Sequence, residues 1–251
     1  MPSIDLNCDL GESFGAYTIG MDAQVIPYVT SANVACGFHA GAAVVMERTV
    51  ALCKASGAAV GAHPGLPDLQ GFGRRVMKIS PAEAGAFVTY QVGALKAFCD
   101  AAGVPLHHVK PHGVLYNMAG RDRELADAIA RAVQSAAPGA VLLALSGSEM
   151  VRAAQAIGLP VASEVFADRG YRPDGSLVPR GTPGAMIEDE DEAITRVIRM
   201  VKEGKVKASD GTDIAIRADS VCVHGDGPKA LAFVRKISAA LKASGVELTP
   251  F

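Results

Sequence analysis

The feature that most constrains this chain is a regular alternation of short apolar runs and longer amphipathic segments, sustained through its 251 residues. The apolar runs fall at residues 4–8, 31–36, 59–62, 107–110, 141–145, 161–166 and 220–224. They are short, often β-branched, and bounded by Gly, Pro or polar residues, which marks them as strands. They do not alternate strictly, as expected of strands covered on both faces. Helical spacing appears between them, at 44–56, 81–102, 123–136, 148–156, 189–203 and 228–244. Ser80 and Glu83 form a capping box ahead of the second of these, which ends at Gly103 before Pro105. Pro228 suits a first helical turn. Strand and helix in strict succession require parallel strands joined by right-handed crossovers.

Two architectures satisfy that order: a closed barrel and an open, doubly wound sheet. The polar residues choose between them. Each run leads into a loop rich in Gly and polar groups: Asp9 and Glu12, His39, His63, Lys110 and His112, Ser146, Asp168 and Arg169, His224 and Asp226. An open sheet equips only the loops at its switch point. A barrel aims every such loop at one central site. The fold expected is therefore α/β, a closed parallel β/α barrel of TIM-like type, in one domain over 1–251. The one long irregular stretch, 167–187, is expected to be a lid-like loop.

Composition removes several function classes. Lys plus Arg is 24 and Asp plus Glu is 26, so there is no electrostatic footprint for nucleic acid or an anionic membrane. Trp is absent, which disfavours base stacking. No basic-then-apolar leader opens the chain, and no apolar run reaches membrane-spanning length. The five cysteines, Cys8, Cys36, Cys53, Cys99 and Cys222, are odd in number and none are closely paired. Reduced thiols in a cytoplasmic protein are expected. No phosphate-cradling Gly-rich motif, zinc-protease helix or nucleophile elbow is present.

The convergent residues suggest catalysis on a small molecule. Asp9 and Glu12 suit proton transfer or metal ligation, or else simply cap a loop. His39 and His63 sit at strand ends, where proton transfer and structural packing compete. Lys110, following an apolar strand, is placed to bind an anion, to act through a lowered pKa, or to form an internal ion pair with Asp9, Glu12 or Glu164. Of Arg74 and Arg75 one is expected to clamp an anion. Cys36 lies near His39 but is more simply a core thiol.

Seven segments together resemble the LamB/YcsF family. They are Asn7-Cys8-Asp9-Leu10-Gly11-Glu12, residues 31–41 (Ser-Ala-Asn-Val-Ala-Cys-Gly-Phe-His-Ala-Gly), His63-Pro64-Gly65, Gly71-Phe72-Gly73-Arg74-Arg75, Lys110-Pro111-His112-Gly113, Phe166-Ala167-Asp168-Arg169 and His224-Gly225-Asp226. The resemblance implies a seven-stranded barrel of the glycoside hydrolase/deacetylase type. It implies ATP-dependent opening of 5-oxo-L-proline to L-glutamate, with 5-oxoprolinase subunits B and C as partners and Mg²⁺ as the counter-ion of ATP. Asp9, Glu12, His39, His63 and Lys110 are then the catalytic candidates. Asn7, Asn33, Arg74, His112, Glu164, Asp168, Arg169, His224 and Asp226 are candidates for binding substrate or phosphate. A homo-oligomer is compatible with this reading. Two alternatives stand beside it: a metal-dependent deacetylase or amidohydrolase using Asp9, His39 and His63, and a non-catalytic scaffold within a complex. In one place the sequence departs from the family pattern: Ala42-Ala43 stands where Asp-Pro is usual. Were that carboxylate a ligand, Asp9 or Asp68 would have to replace it.

Overall fold

The computed structural model describes residues 2–223 and 230–251. His224, Asp226 and the start of the helix expected at Pro228 therefore lie outside the described residues. Seven parallel strands close into a barrel. They are β1 (Ser3–Leu10), β2 (Ser31–Ala35), β3 (Ala59–His63), β4 (Leu106–Val109), β5 (Val141–Leu145), β6 (Val161–Phe166) and, after a short antiparallel hairpin of β7 (Lys205–Lys207) and β8 (Asp213–Ala215), β9 (Ser220–Val223). β9 pairs with β6 on one side and β1 on the other, which closes the ring. A two-residue strand, β10 (Glu247–Leu248), adds to the start of β1.

The connecting helices form the outer layer. The larger ones are α2 (Ala43–Ser56), α3 (Pro81–Ala102), α5 (Arg123–Ala136), α6 (Glu149–Ala156), α7 (Glu190–Glu203) and α8 (Ala230–Ala243); the short α1 (Asp22–Val25) and α4 (Gly113–Ala119) lie in loops. The α3 capping box is present as expected: Ser80 Oγ accepts from the Glu83 amide, and a Glu83 carboxylate oxygen accepts from the Ser80 amide. Gly103, in the left-handed region, ends the helix. The apolar core lies between helices and strands, where Leu6, Val34, Val60, Val109, Leu142 and Val165 are buried.

The strands run longer or shorter than the apolar pattern predicts. β1 extends to Leu10, so Asp9 lies within a strand instead of beyond it. The hairpin β7–β8 and strand β10 have no counterpart in the sequence pattern: two or three residues carry no readable period.

The barrel interior is largely polar. Asn33 on β2 stands level with Gly61 on β3, and Gly61 stands level with His108 on β4. A methyl group on Gly61 would collide with the His108 ring, so only glycine leaves the imidazole its place. That ring donates through Nε2 to Asn33 Oδ1 at 2.7 Å. Burial holds His108 well below its ordinary pKa, so it is neutral.

Ala42 occupies the N-cap of α2, in extended conformation and with no side chain to cap the helix. The family's usual Asp-Pro thus falls on the N-cap and first helical positions, where Asp accepts orphan amides and Pro is pre-set for the helix. A carboxylate at position 42 would therefore stand at a helix N-cap, where it can accept an orphan amide. The double substitution Ala42→Asp, Ala43→Pro should stabilise the fold by about 1 kcal/mol, read as a raised urea midpoint; an unchanged or lowered midpoint contradicts this assignment.

Candidate active site

Lys110 sits where β4 ends, and its side chain turns into the barrel. Its ammonium lies 2.7 Å from Glu164 Oε1 and 3.1 Å from Asp9 Oδ1, and it also donates to Asn7 Oδ1 and Cys222 Sγ. Burial alone would lower its pKa, but Asp9, Cys222 and Glu164 outweigh that and hold it well above the ordinary lysine value. Lys110 is therefore a fixed cation. Of the roles the sequence allowed, the internal ion pair is the arrangement found.

Glu164 is fully buried. Its two oxygens accept from Lys110, from Asn7 Nδ2 at 3.0 Å and from the Tyr116 hydroxyl at 2.6 Å. Burial, then that contact, raise the Tyr116 pKa well above its ordinary value, so the phenol stays a donor. Asn33 Nδ2 donates to both Asn7 Oδ1 and Asp9 Oδ1. Asn7, Asn33 and Glu164, candidates for substrate binding on sequence, lie instead in the barrel interior. β1, β2 and β6 carry them inward below the mouth, and they orient Asp9 and Lys110.

Above this layer a cavity of about 220 Å³ opens at the C-terminal ends of the strands. Asp9, His63, Lys110 and His112 form its floor and wall, and Arg74, Arg169 and Arg180 rim it. Arg75 turns away to pair with Asp68, whose carboxyl it holds below the usual range. Asp68 also accepts the amides of Gly71 and Arg75, so that pair fixes the loop and leaves Arg74 for the cavity. Arg169 lines the cavity, but its guanidinium donates to the carbonyls of Ala185 and Val178, tying down the segment expected as a lid. Burial, helped by the charge of Arg180, lowers its pKa to about 10. Asp168, half-buried beside it, accepts the Ile187 amide through its backbone. Leu177 and Arg180 bring the same segment to the mouth, and nothing in the sequence pattern singles them out.

Three histidines and a glutamate pack along one wall. His39 and His112 stack with ring centres 3.6 Å apart, and His63 stands edge-on to both. His63 Nε2 lies 2.9 Å from His112 Nδ1 and 3.4 Å from Asp9 Oδ2. His39 Nε2 lies 3.8 Å from Glu12 Oε1. The ligand atoms of Glu12, His39, His63 and His112 fall within 4.8 Å of one another. Glu12 and His39 stand behind the cavity wall. Asp9, a metal-ligand candidate on sequence, instead joins the ion cluster while its second oxygen faces His63. Cys36 is no nucleophile: it is buried, donates to the Val34 carbonyl, and burial pushes its pKa up to about 12.

A larger cleft of about 760 Å³ lies between residues 146–147, 173–175 and 214–217. Its charged groups are Asp174 and Arg217, and Arg217 is paired with Asp219. It lacks the convergent acids, bases and cations of the smaller cavity, so the chemistry is assigned to the latter. Among the described residues no helix is long and apolar enough to cross a membrane.

The sequence pattern of the LamB/YcsF family matches residues 4–251. The A subunit of the 5-oxoprolinase of Clostridium beijerinckii is 60% identical over 250 residues, covering 100% of this chain and 98% of that one. Its counterpart from Bacillus subtilis, also a 5-oxoprolinase A subunit, is 59% identical, covering 99% and 97%. The crystal structure of a lactam utilization protein from Thermus thermophilus superposes with a TM-score of 0.94 at 51% identity, over 99% of this chain and 100% of that one. A β-1,4-mannanase superposes with a TM-score of 0.52 at 12% identity, over 97% of this chain and 100% of that one, a likeness of barrel fold alone.

The ion cluster makes a stability prediction. Lys110→Met should cost about 3–5 kcal/mol, because it strands two carboxylates in the interior. Adding Glu164→Gln should return part of that loss. Urea unfolding of the two singles and the double mutant measures the coupling; strict additivity would mean that Lys110 and Glu164 do not interact as described.

Proposed function

Because the chain belongs to the LamB/YcsF family, we propose that it is part of a hydrolase for a cyclic amide, the lactam of 5-oxo-L-proline, which it opens to L-glutamate. The observation that carries this reading is one cavity that joins acid–base groups to cations, in a chain 60% identical along its length to a 5-oxoprolinase A subunit. The cavity suits so small a ring: at about 220 Å³ it falls below the roughly 300–1,000 Å³ typical of drug-sized ligands. Arg74 and Arg180 at its rim suit the substrate carboxylate.

A lactam is a resonance-stabilised amide and a poor electrophile. We propose that ATP, with Mg²⁺, transfers its γ-phosphoryl group to the amide oxygen and leaves as ADP. Water then adds to the activated carbon, the ring C–N bond breaks, phosphate departs, and the ring nitrogen becomes the amine of glutamate. Asp9 is placed to move a proton, since its Oδ1 is held by Lys110 and Asn33 while Oδ2 faces the cavity wall at His63. The Lys110 cation stabilises negative charge developing beside it. The nucleotide exceeds the cavity and would occupy space beyond it, which is consistent with a site completed by partner subunits B and C.

The test is glutamate release from 5-oxoproline by the chain with its partner subunits, with and without ATP. Wild-type turnover should require ATP, and Asp9→Asn should lower kcat by about 10²–10⁴-fold while thermal unfolding shows a folded chain. Undiminished release by the variant removes Asp9 from the chemistry, and ATP-independent release would favour a plain amidohydrolase.

A further inference from the structure

Proton positions along the histidine wall follow from what each nitrogen faces. His63 Nδ1 lies 2.7 Å from the Lys110 carbonyl, and His112 Nε2 lies 2.8 Å from the Phe72 carbonyl. A carbonyl only accepts, so each of these nitrogens carries a ring hydrogen. The lone pairs of the two rings are then on His63 Nε2 and His112 Nδ1, which face each other at 2.9 Å. With both hydrogens committed to carbonyls, no proton of the neutral rings is left to join them. Asp9 Oδ2, a third acceptor, approaches His63 Nε2 at 3.4 Å. Among the described residues, no donor stands between His63 Nε2 and His112 Nδ1.

His39 adds to the same point. It is fully buried, and among the described residues neither ring nitrogen has a hydrogen-bond partner. An imidazole so placed is costly unless it has a use. The surroundings are built to keep the rings in place. A side chain on Gly65 would strike His39 Nδ1, and one on Gly73 would strike both His39 and His112. Phe72, whose carbonyl fixes the His112 tautomer, has φ +54, a conformation rare for a residue with a side chain. Ring nitrogens whose opposite N–H is anchored to a carbonyl are the usual arrangement around a bound metal.

We infer that Glu12, His39, His63 and His112 form a binding site for one first-row divalent cation, with imidazole nitrogens as the main ligands. Three imidazoles and a carboxylate suit Zn²⁺, Co²⁺, Fe²⁺ or Ni²⁺ far better than Mg²⁺, which prefers oxygen. The site is separate from the Mg²⁺ of ATP and does not rest on the lactam reading, since it follows from the ring geometry alone.

The test uses the full-length, tag-free chain after chelator treatment, titrated with Co²⁺ and with Zn²⁺. The expected result is one ion per chain, a visible Co²⁺ spectrum of a nitrogen-rich site, displacement by Zn²⁺, and a raised thermal midpoint. His39→Ala should weaken binding by at least ~100-fold, more than loss of an outer contact usually does. It strands no hydrogen-bond partner, so it should fold; circular dichroism checks that, and Glu12→Gln supplies a second variant of nearly unchanged volume. Failure of the folded wild-type chain to bind either ion overturns the site. So does binding that His39→Ala and Glu12→Gln leave unchanged. So does a nitrogen-15 spectrum in which a proton still bridges His63 and His112 in the presence of excess Zn²⁺.

Discussion

The rest of the structure depends on the Lys110 ammonium held between Asp9 and Glu164. Each pair attracts by roughly 5 kcal/mol at an effective dielectric near 20, while burying each ion costs several kcal/mol. The balance is favourable only if geometry is strict and every leftover lone pair is filled. The barrel meets that condition from four strands and a loop helix at once: Asn7 and Asp9 from β1, Asn33 from β2, Glu164 from β6, Cys222 from β9, and Tyr116 from α4. Among the described residues the cluster sets one ammonium against two carboxyl groups, and the second oxygen of Asp9 faces the cavity. The surplus negative charge is thus delivered to the place where chemistry is proposed, on a group whose position is fixed by buried partners.

Closure of the sheet makes this possible. β1 has neighbours on both sides, β2 and β9, so its inward residues meet partners from the whole circumference. One register step would turn Asp5, Asn7 and Asp9 into the helical layer and Leu6 and Cys8 into the polar interior. The interior also sorts the histidines. His108, deep in the barrel opposite Gly61, is a satisfied neutral donor. His39, His63 and His112, at the mouth, are anchored or orphaned so that lone pairs meet. The same residue type does two jobs because the carbonyls and glycines around it differ.

Much of this was legible in the sequence. Parallel closure followed from polar loops after every strand, and the helices at 81–102 and 123–136 were placed to the residue by caps and period. Asp9, His63, Lys110, His112 and Arg74 do meet at one cavity. What could not be read is which polar residues stop short of it. Asn7 shares a motif and a strand face with Asp9 yet lies one step deeper, as do Asn33 and Glu164 on their strands, and a motif does not encode depth. Arg74 and Arg75 are indistinguishable until Asp68 is found to claim one of them. The grouping of Glu12 with His112 joins the ends of β1 and β4, which only the closed ring brings together. A hint was present in Pro111, which stops the strand and returns His112 across the mouth, and in Phe72 between two glycines, whose strain no propensity scale anticipates.

The site therefore divides into a rigid floor and a tethered rim. The floor is secured by ion pairs in low dielectric and cannot move without stranding charge. The rim segment is held differently. Arg169 donates to the Ala185 and Val178 carbonyls, Tyr171 is buried and accepts the Phe166 amide, and short antiparallel bridges join Arg169 to Met186 and Tyr171 to Leu177. The Ser209 amide also donates to the Tyr171 carbonyl and Arg196 to the Arg169 carbonyl, so the segment is tied to its surroundings as well as to itself. Leu177 and Arg180 from this segment line the cavity beside Asp9 and Lys110. A small cavity over fixed charges, with a tethered rim, keeps its ionic groups in place before any ligand arrives.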